Sequence, residues 1–304
     1  MPEPVISVRG LTKSYGDVEA VRGIDLEVAA GEIFAFLGPN GAGKTTTVEV
    51  LEGFRQRDGG ELGVLGEDPA TADRAWRERI GFVLQQSRPD PYLTSREALA
   101  LYAGYYSSPR PIDETLELIG LGEAADRRAR TLSGGQQRRL DVGLALIGDP
   151  ELLFLDEPTT GFDPAARRRF WEVVENLSRL GKTIFLTTHY MEEAQQLAGR
   201  VAIISRGRIV AEGAPQEIVD RDRAPATISF RLPHGTNVAD LPGEARGAVP
   251  ANGSVAFSSE TPVEALNEIT TWALGHGVDL EGLEVRRPTL EDIYLELTAQ
   301  EASE

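Results

Sequence analysis

Ile33-Phe34-Ala35-Phe36-Leu37-Gly38-Pro39-Asn40-Gly41-Ala42-Gly43-Lys44-Thr45-Thr46 decides the reading of this 304-residue chain. From Gly38 to Thr45 it matches G-x-x-x-x-G-K-[ST], a phosphate-binding loop. The apolar run Ile33–Leu37 predicts a buried strand, and Thr45 to Leu51 predicts a helix, so the glycines fall at a strand-to-helix turn. Gly38, Gly41 and Gly43 let the backbone fold tightly, with its N–H groups turned toward phosphate oxygens. The helix N-terminus adds positive potential, Lys44 adds a full charge, and Thr45 offers a hydroxyl to Mg²⁺.

Four further stretches follow in order. Leu132-Ser133-Gly134-Gly135-Gln136-Gln137 is another glycine-bearing helix start. Leu152-Leu153-Phe154-Leu155-Asp156-Glu157-Pro158 is an apolar strand ending in two carboxylates. Gly161-Phe162-Asp163 and Leu186-Thr187-Thr188-His189 complete the series. A phosphate loop alone fits kinases, GTPases and helicases. Together with these stretches the chain strongly resembles the ATP-binding cassette of ABC transporters, from about Val5 to about Gly213, with Leu132–Gln136 the most family-specific piece. The resemblance implies an α/β fold of the P-loop NTPase type, with a mixed-sheet core, an antiparallel β subdomain and a helical subdomain at about 87–135.

Composition is that of an ordinary globular protein: 41% hydrophobic and 26% charged. No apolar run approaches the roughly 18 residues that a membrane-spanning helix needs. Met1-Pro2-Glu3-Pro4 lacks the basic and apolar regions of a signal peptide. With no cysteine in the sequence, disulfides, thiol chemistry and cysteine–metal sites are excluded. A net charge of −17 and a pI near 4.7 argue against a nucleic-acid partner and against unaided binding to anionic lipid.

The organisation follows the motifs. Residues 5–30 read as strands, and helical periodicity dominates Arg96–Tyr106 and Asp113–Ile119. Arg139–Ile147 reads as a helix stopped by Asp149-Pro150, and Gly181–Thr187 and Val201–Ser205 as strands. The first domain is expected to span 1–220. Charged residues at 220–223 then lead into a small α+β domain over 225–304. In it Ile228, Phe230 and Leu232 alternate, as do Val255 and Phe257. Thr261-Pro262-Val263-Glu264 has the pattern of a capping box with proline at the first helical position. The final helix sets Leu290, Ile293, Tyr294 and Leu297 on one face, available for packing. The stretch Pro288–Leu297 is similar to the C-terminal tails of antibiotic-exporter ATPases of the daunorubicin-resistance type.

The resemblance also implies roles. Gly38, Pro39, Asn40, Gly41, Ala42, Gly43, Lys44, Thr45 and Thr46 would cradle the ATP phosphates, and Tyr15 would stack on adenine. Thr45, Gln85 and Asp156 would hold Mg²⁺, which keeps several waters and takes few protein ligands. Gln86 stands one register away from Gln85. Glu157 is the candidate general base or water-positioner, and His189 would contact the γ-phosphate. His234 and His276 lack such a setting. Ser133, Gly134, Gly135 and Gln136 form a second anion site, and one nucleotide does not need two. In the family this site caps ATP held by a second subunit, with Asp163 at the interface, giving a head-to-tail dimer, a homodimer or a paired cassette. A single cassette without a membrane span needs a separately encoded permease, which implies a peripheral place on the cytoplasmic side of the cell membrane.

The tail favours the ATPase subunit of an ABC-2-type exporter of a drug, antibiotic or other hydrophobic compound. Leu84, where many importers have proline, and Phe162, where leucine is usual, fit the exporter branch better. An importer ATPase is the nearer alternative, although its C-terminal domain would usually be a regulatory β-barrel. A soluble ABC ATPase acting on nucleic acid or the ribosome is opposed by the acidic balance, the single cassette and the lack of a long coiled-coil insertion.

Overall fold

A computed structural model describes residues 3–83, 89–220, 225–232, 235–251, 254–287 and 289–300. The side chains of 220, 251 and 296–300 are not described. Gln85 and Gln86, both singled out by sequence, lie outside these residues, as do Leu84 and His234. The chain divides into two compact units, 1–215 and 216–304.

The first unit opens with β1 (Ile6–Tyr15), β2 (Val18–Val28) and β3 (Ile33–Leu37), followed by α1 (Lys44–Leu51) and β4 (Gly59–Val64). Next come α2 (Arg74–Glu78), β5 (Ile80–Val83), α3 (Ser95–Ala103), α4 (Ile112–Leu118) and α5 (Gly134–Leu146). The core then resumes with β6 (Leu152–Asp156), α6 (Pro164–Arg179), β7 (Thr183–Thr188), α7 (Met191–Leu197), β8 (Arg200–Ser205) and β9 (Arg208–Gly213). A short helix, α8 (Pro215–Asp220), spans the boundary between the units.

Two sheets carry this unit. β2-β1-β4 is antiparallel, and β5-β6-β7-β3-β8-β9 is parallel except for its last pair. β3 and β7 are buried at every position, which is why both read as unbroken apolar or threonine-bearing runs rather than alternating ones. An aromatic seam of Phe34, Phe36, Phe154 and Phe185, with centroids 5.6–5.7 Å apart, packs one face of the sheet. Burying each of these rings contributes roughly 1.5–3 kcal/mol. The other face is covered by α5 and α6 through Leu140, Leu144, Phe170, Val174 and Leu177.

Registry places the chemistry. Leu37 pairs with Thr188 and Asp156 with Thr187, so β3, β6 and β7 end level with one another. The loops that leave them begin with Gly38, Glu157 and His189, and open where parallel sheets bind ligands, at their carboxyl ends.

The helical region is capped by side chains. Thr94 and Glu97 form a capping box on α3, and Ser133 and Gln136 form one on α5. The sequence reading marked a helix start at Ser133–Gln136 and a separate helical run from Arg139; the two are one helix that begins at Gly134. Its first turn uses glycines of low helix propensity, and the capping box compensates for them.

The second unit contains β10 (Ala226–Arg231), β11 (Val249–Ala251), β12 (Ser254–Ser259), α9 (Pro262–His276), β13 (Glu284–Arg286) and α10 (Leu290–Gln300). Its antiparallel sheet has the order β11-β12-β10-β13. Ile228, Phe230, Val255 and Phe257 meet Ala265 and Ile269 of α9 in its core. One local expectation fails. Thr261 has φ −117° and ψ 64° and makes no side-chain cap, so its capping box is absent, although Pro262 does open the helix. The Thr261 N–H donates instead to Ser259 Oγ. Along α10, Leu290 is fully buried, Ile293 and Tyr294 are half-buried and Leu295 is exposed, so Leu290 is not available to an outside surface. Leu297 lies beyond the described side chains. Among the described residues, no helix is long and apolar enough to cross a membrane.

Candidate active site

Gly43 sits at φ +108°, and a Cβ there would lie 2.3 Å from the Ala20 carbonyl oxygen, so only glycine fits at this helix start. Gly38 packs equally closely on Ile204. Between them Pro39, Asn40 and Gly41 turn through solvent, closed by a bond from the Ala42 N–H to the Pro39 carbonyl at 3.2 Å. The Thr47 hydroxyl donates to the Gly43 carbonyl, while Thr45 is exposed and Thr46 half-buried on the first turn of α1.

Lys44 bends back into this loop. Its Nζ donates to the carbonyls of Gly38 (2.7 Å) and Pro39 (3.2 Å), and the residue is only 5% exposed. Burial pulls its ammonium below the usual lysine value, while Glu157 and Asp156 act against that shift. Glu157 answers it directly: Oε1 is 3.9 Å from Lys44 Nζ, and Oε2 is 3.3 Å from His189 Nδ1. Thr160 Oγ1 also donates to Oε2 at 3.3 Å. One carboxylate thus stands between the lysine of the phosphate loop and the histidine after β7. Asp156 is oriented from behind, because Thr187 Oγ1 donates to its Oδ1. The same hydroxyl accepts from the Glu157 N–H at 3.1 Å.

Residues 21–160 match the family model described as ABC transporter, and residues 226–289 match one described as ABC transporter domain-containing protein-like, C-terminal domain. Daunorubicin resistance ATP-binding protein DrrA3 of Streptomyces coeruleorubidus is 38% identical over 309 residues, covering 99% of this chain and 98% of the relative. Nod factor export ATP-binding protein I of Rhizobium sp. (strain N33) is 40% identical over 309 residues, covering 99% of each. The chain belongs to the ABC transporter ATP-binding proteins. It is an ABC ATPase of the exporter class. A solved ATP-binding cassette, described as dimeric, in a post-hydrolysis state and bound to ADP and Pi, superposes with TM-score 0.61 at 25% identity. The match covers 69% of this chain and 98% of that one.

Elsewhere on this ABC ATPase, Tyr15 ends β1 as a residue 40% exposed, with the Arg55 guanidinium 5.1 Å from its ring centroid. Arg55 is itself held by Glu49 at 2.6 Å. Ser133 caps α5 by accepting from the Gln136 N–H, and Gln136 Oε1 accepts from the Ser133 N–H. Ser133, Gly135 and Gln136 line a small cavity of about 150 Å³ with Arg139, Ala166 and Arg169, and Gly134 opens the same helix. Asp163 is the N-cap of α6, with Oδ1 accepting from the N–H groups of Ala165 and Ala166 at 2.9 Å.

The sequence reading gave Thr187 no role. A threonine at the end of a buried strand looks like ordinary β propensity. Only the pairing of β6 with β7 turns its hydroxyl into a brace for both Asp156 and Glu157.

Proposed function

We propose that this ABC ATPase binds Mg²⁺-ATP in the Gly38–Thr46 loop and hydrolyses it with Glu157 as the group that takes the proton of the attacking water. The observation that carries this reading is the placement of Glu157, with Lys44 on one carboxylate oxygen and His189 on the other. When ATP enters, Lys44 exchanges its two loop carbonyls for phosphate oxygens. Glu157 then accepts the water proton, and His189 bridges this carboxylate to the γ-phosphate and fixes its direction. Tyr15 offers the adenine an aromatic face.

The donor set suits Mg²⁺. Thr45 and Asp156 bring hard oxygen ligands, Gln85 would bring an amide oxygen, and no cluster of three His, Cys, Asp or Glu occurs among the described residues. Mg²⁺ would neutralise charge on the β- and γ-phosphates. On this chain the corresponding work is orientation: Thr187 holds Asp156 Oδ1 and so aims the carboxylate.

The Ser133–Gln136 helix start would cap ATP held by a second copy or a paired cassette, with Asp163 beside it. Loss of the γ-phosphate would loosen that sandwich and drive a separately encoded permease. The extent and identity of the relatives support export of a hydrophobic drug, antibiotic or similar compound from the cytoplasmic face of the membrane. Glu157→Gln is expected to retain ATP affinity and to lower turnover by about 10²–10⁴-fold. Steady-state phosphate release would measure this, and a variant within about twofold of wild type contradicts the assignment.

A further inference from the structure

Glu157 leaves β6 at φ +41°, a region that non-glycine residues rarely occupy, and proline follows it. Such a backbone persists where its surroundings over-determine it. On the amide side, the Glu157 N–H donates to both the carbonyl and the hydroxyl of Thr187, each at 3.1 Å. The carbonyls on either side of Glu157 share one other donor. Arg138 gives Nη2–H to the Asp156 carbonyl at 2.8 Å and Nε–H to the Pro158 carbonyl at 3.1 Å. The arginine is 8% exposed, and its Nη1 stands 3.9 Å from Oδ2 of Asp141, a 6%-exposed carboxylate one turn further along the same helix. That helix, α5, begins at the Ser133 cap.

We infer that Arg138 is a positioning residue for Glu157: its fork grips the carbonyls on both sides of that residue and aims the carboxylate from the helix that starts at Ser133. The inference rests on the reading of Glu157 as proton acceptor. A guanidinium presents its donors in one rigid plane and can span two carbonyls. An ammonium is a point charge on a flexible stem and cannot hold both in a fixed relation. The fork therefore ties α5, which begins at the Ser133 cap, to the strand end that carries Glu157.

Arg138→Lys keeps the charge and removes the fork. Its kcat is expected to fall by about tenfold or more, while KM and the dissociation constant for a fluorescent ATP analogue stay within about threefold. The deciding comparison is the same substitution on a Glu157→Gln background, read as single-turnover hydrolysis. Because Arg138 acts through the Glu157 carboxylate, Arg138→Lys is expected to change that residual rate by less than about twofold. A general packing role would lower both backgrounds by the same factor.

Should Arg138→Lys fail to fold, Asp141→Asn leaves the fork in place and removes the anion that steers it. A loss of about threefold in kcat is expected at unchanged ATP affinity, and it should vanish on the Glu157→Gln background. Wild-type kcat in the folded variant, or equal losses in both backgrounds, overturns the inference about Arg138 alone. Near-wild-type hydrolysis by Glu157→Gln overturns the reading beneath it.

Discussion

Glu52 closes α1 with a carboxyl that is only 5% exposed and whose Oε2 has no hydrogen-bond partner among the described residues. Burial pushes its pKa up to about 8, and the nearby carboxylates of Asp156 and Glu49 add to the shift. In the unfolded chain the group titrates near 4.3, so between the two values the folded state holds a proton that the unfolded state has lost. The contribution is complete below the unfolded value and drains away as pH rises toward 8. Glu52→Gln imitates the protonated form. It should exceed wild-type stability by a margin that grows with pH, small near pH 5 and on the order of a few kcal/mol near pH 9. Urea unfolding at the two pH values measures this, and a variant no more stable than wild type near pH 9 contradicts the burial argument. The buried Lys44 beside Glu157 poses the opposite case, an ion pair whose lysine is poised to turn to phosphate oxygens.

At the scale of elements, α5 depends on its cap. Its first turn is Gly134-Gly135, which has little tendency to be helical, and the reciprocal Ser133–Gln136 bonds satisfy the free N–H groups. Ser133→Ala in the nucleotide-free chain should cost about 1 kcal/mol of unfolding free energy. No measurable change would mean that tertiary contacts alone hold the helix. The strand ends and loops of the candidate site were legible in the sequence, because the chemistry proposed for them requires particular residues at short, fixed spacing: Gly38 to Thr45, Asp156-Glu157, His189. What was not legible depends on contacts between distant segments. Thr187 braces Glu157 only because β7 pairs with β6, and Arg138 reaches the same strand end from α5. The positive φ of Glu157 has no signal in a residue whose usual place is elsewhere. Thr261 lost its expected cap because backbone angles, not residue type, decide whether a threonine side chain can reach back to the helix.

At the scale of the whole molecule, the two units have separate apolar cores, Ile228, Phe230, Phe257 and Ile269 belonging to the second. A chain ending after Arg223 should therefore still bind a fluorescent ATP analogue within about threefold of the full-length affinity, a shift of at most about 0.7 kcal/mol. Loss of binding would show that the nucleotide unit needs residues 225–304. One chain is expected to bind and hydrolyse ATP while a second chain's Ser133 helix closes the site, and the molar mass of the Glu157→Gln chain in Mg²⁺-ATP, by light scattering, is the decisive measurement. A stable dimer is expected with ATP and a monomer without it. Adding Ser133→Arg is expected to return the ATP-loaded chain to monomer while Lys44 still retains the nucleotide. A Glu157→Gln chain that stays monomeric at saturating ATP, or a dimer untouched by Ser133→Arg, would contradict this arrangement.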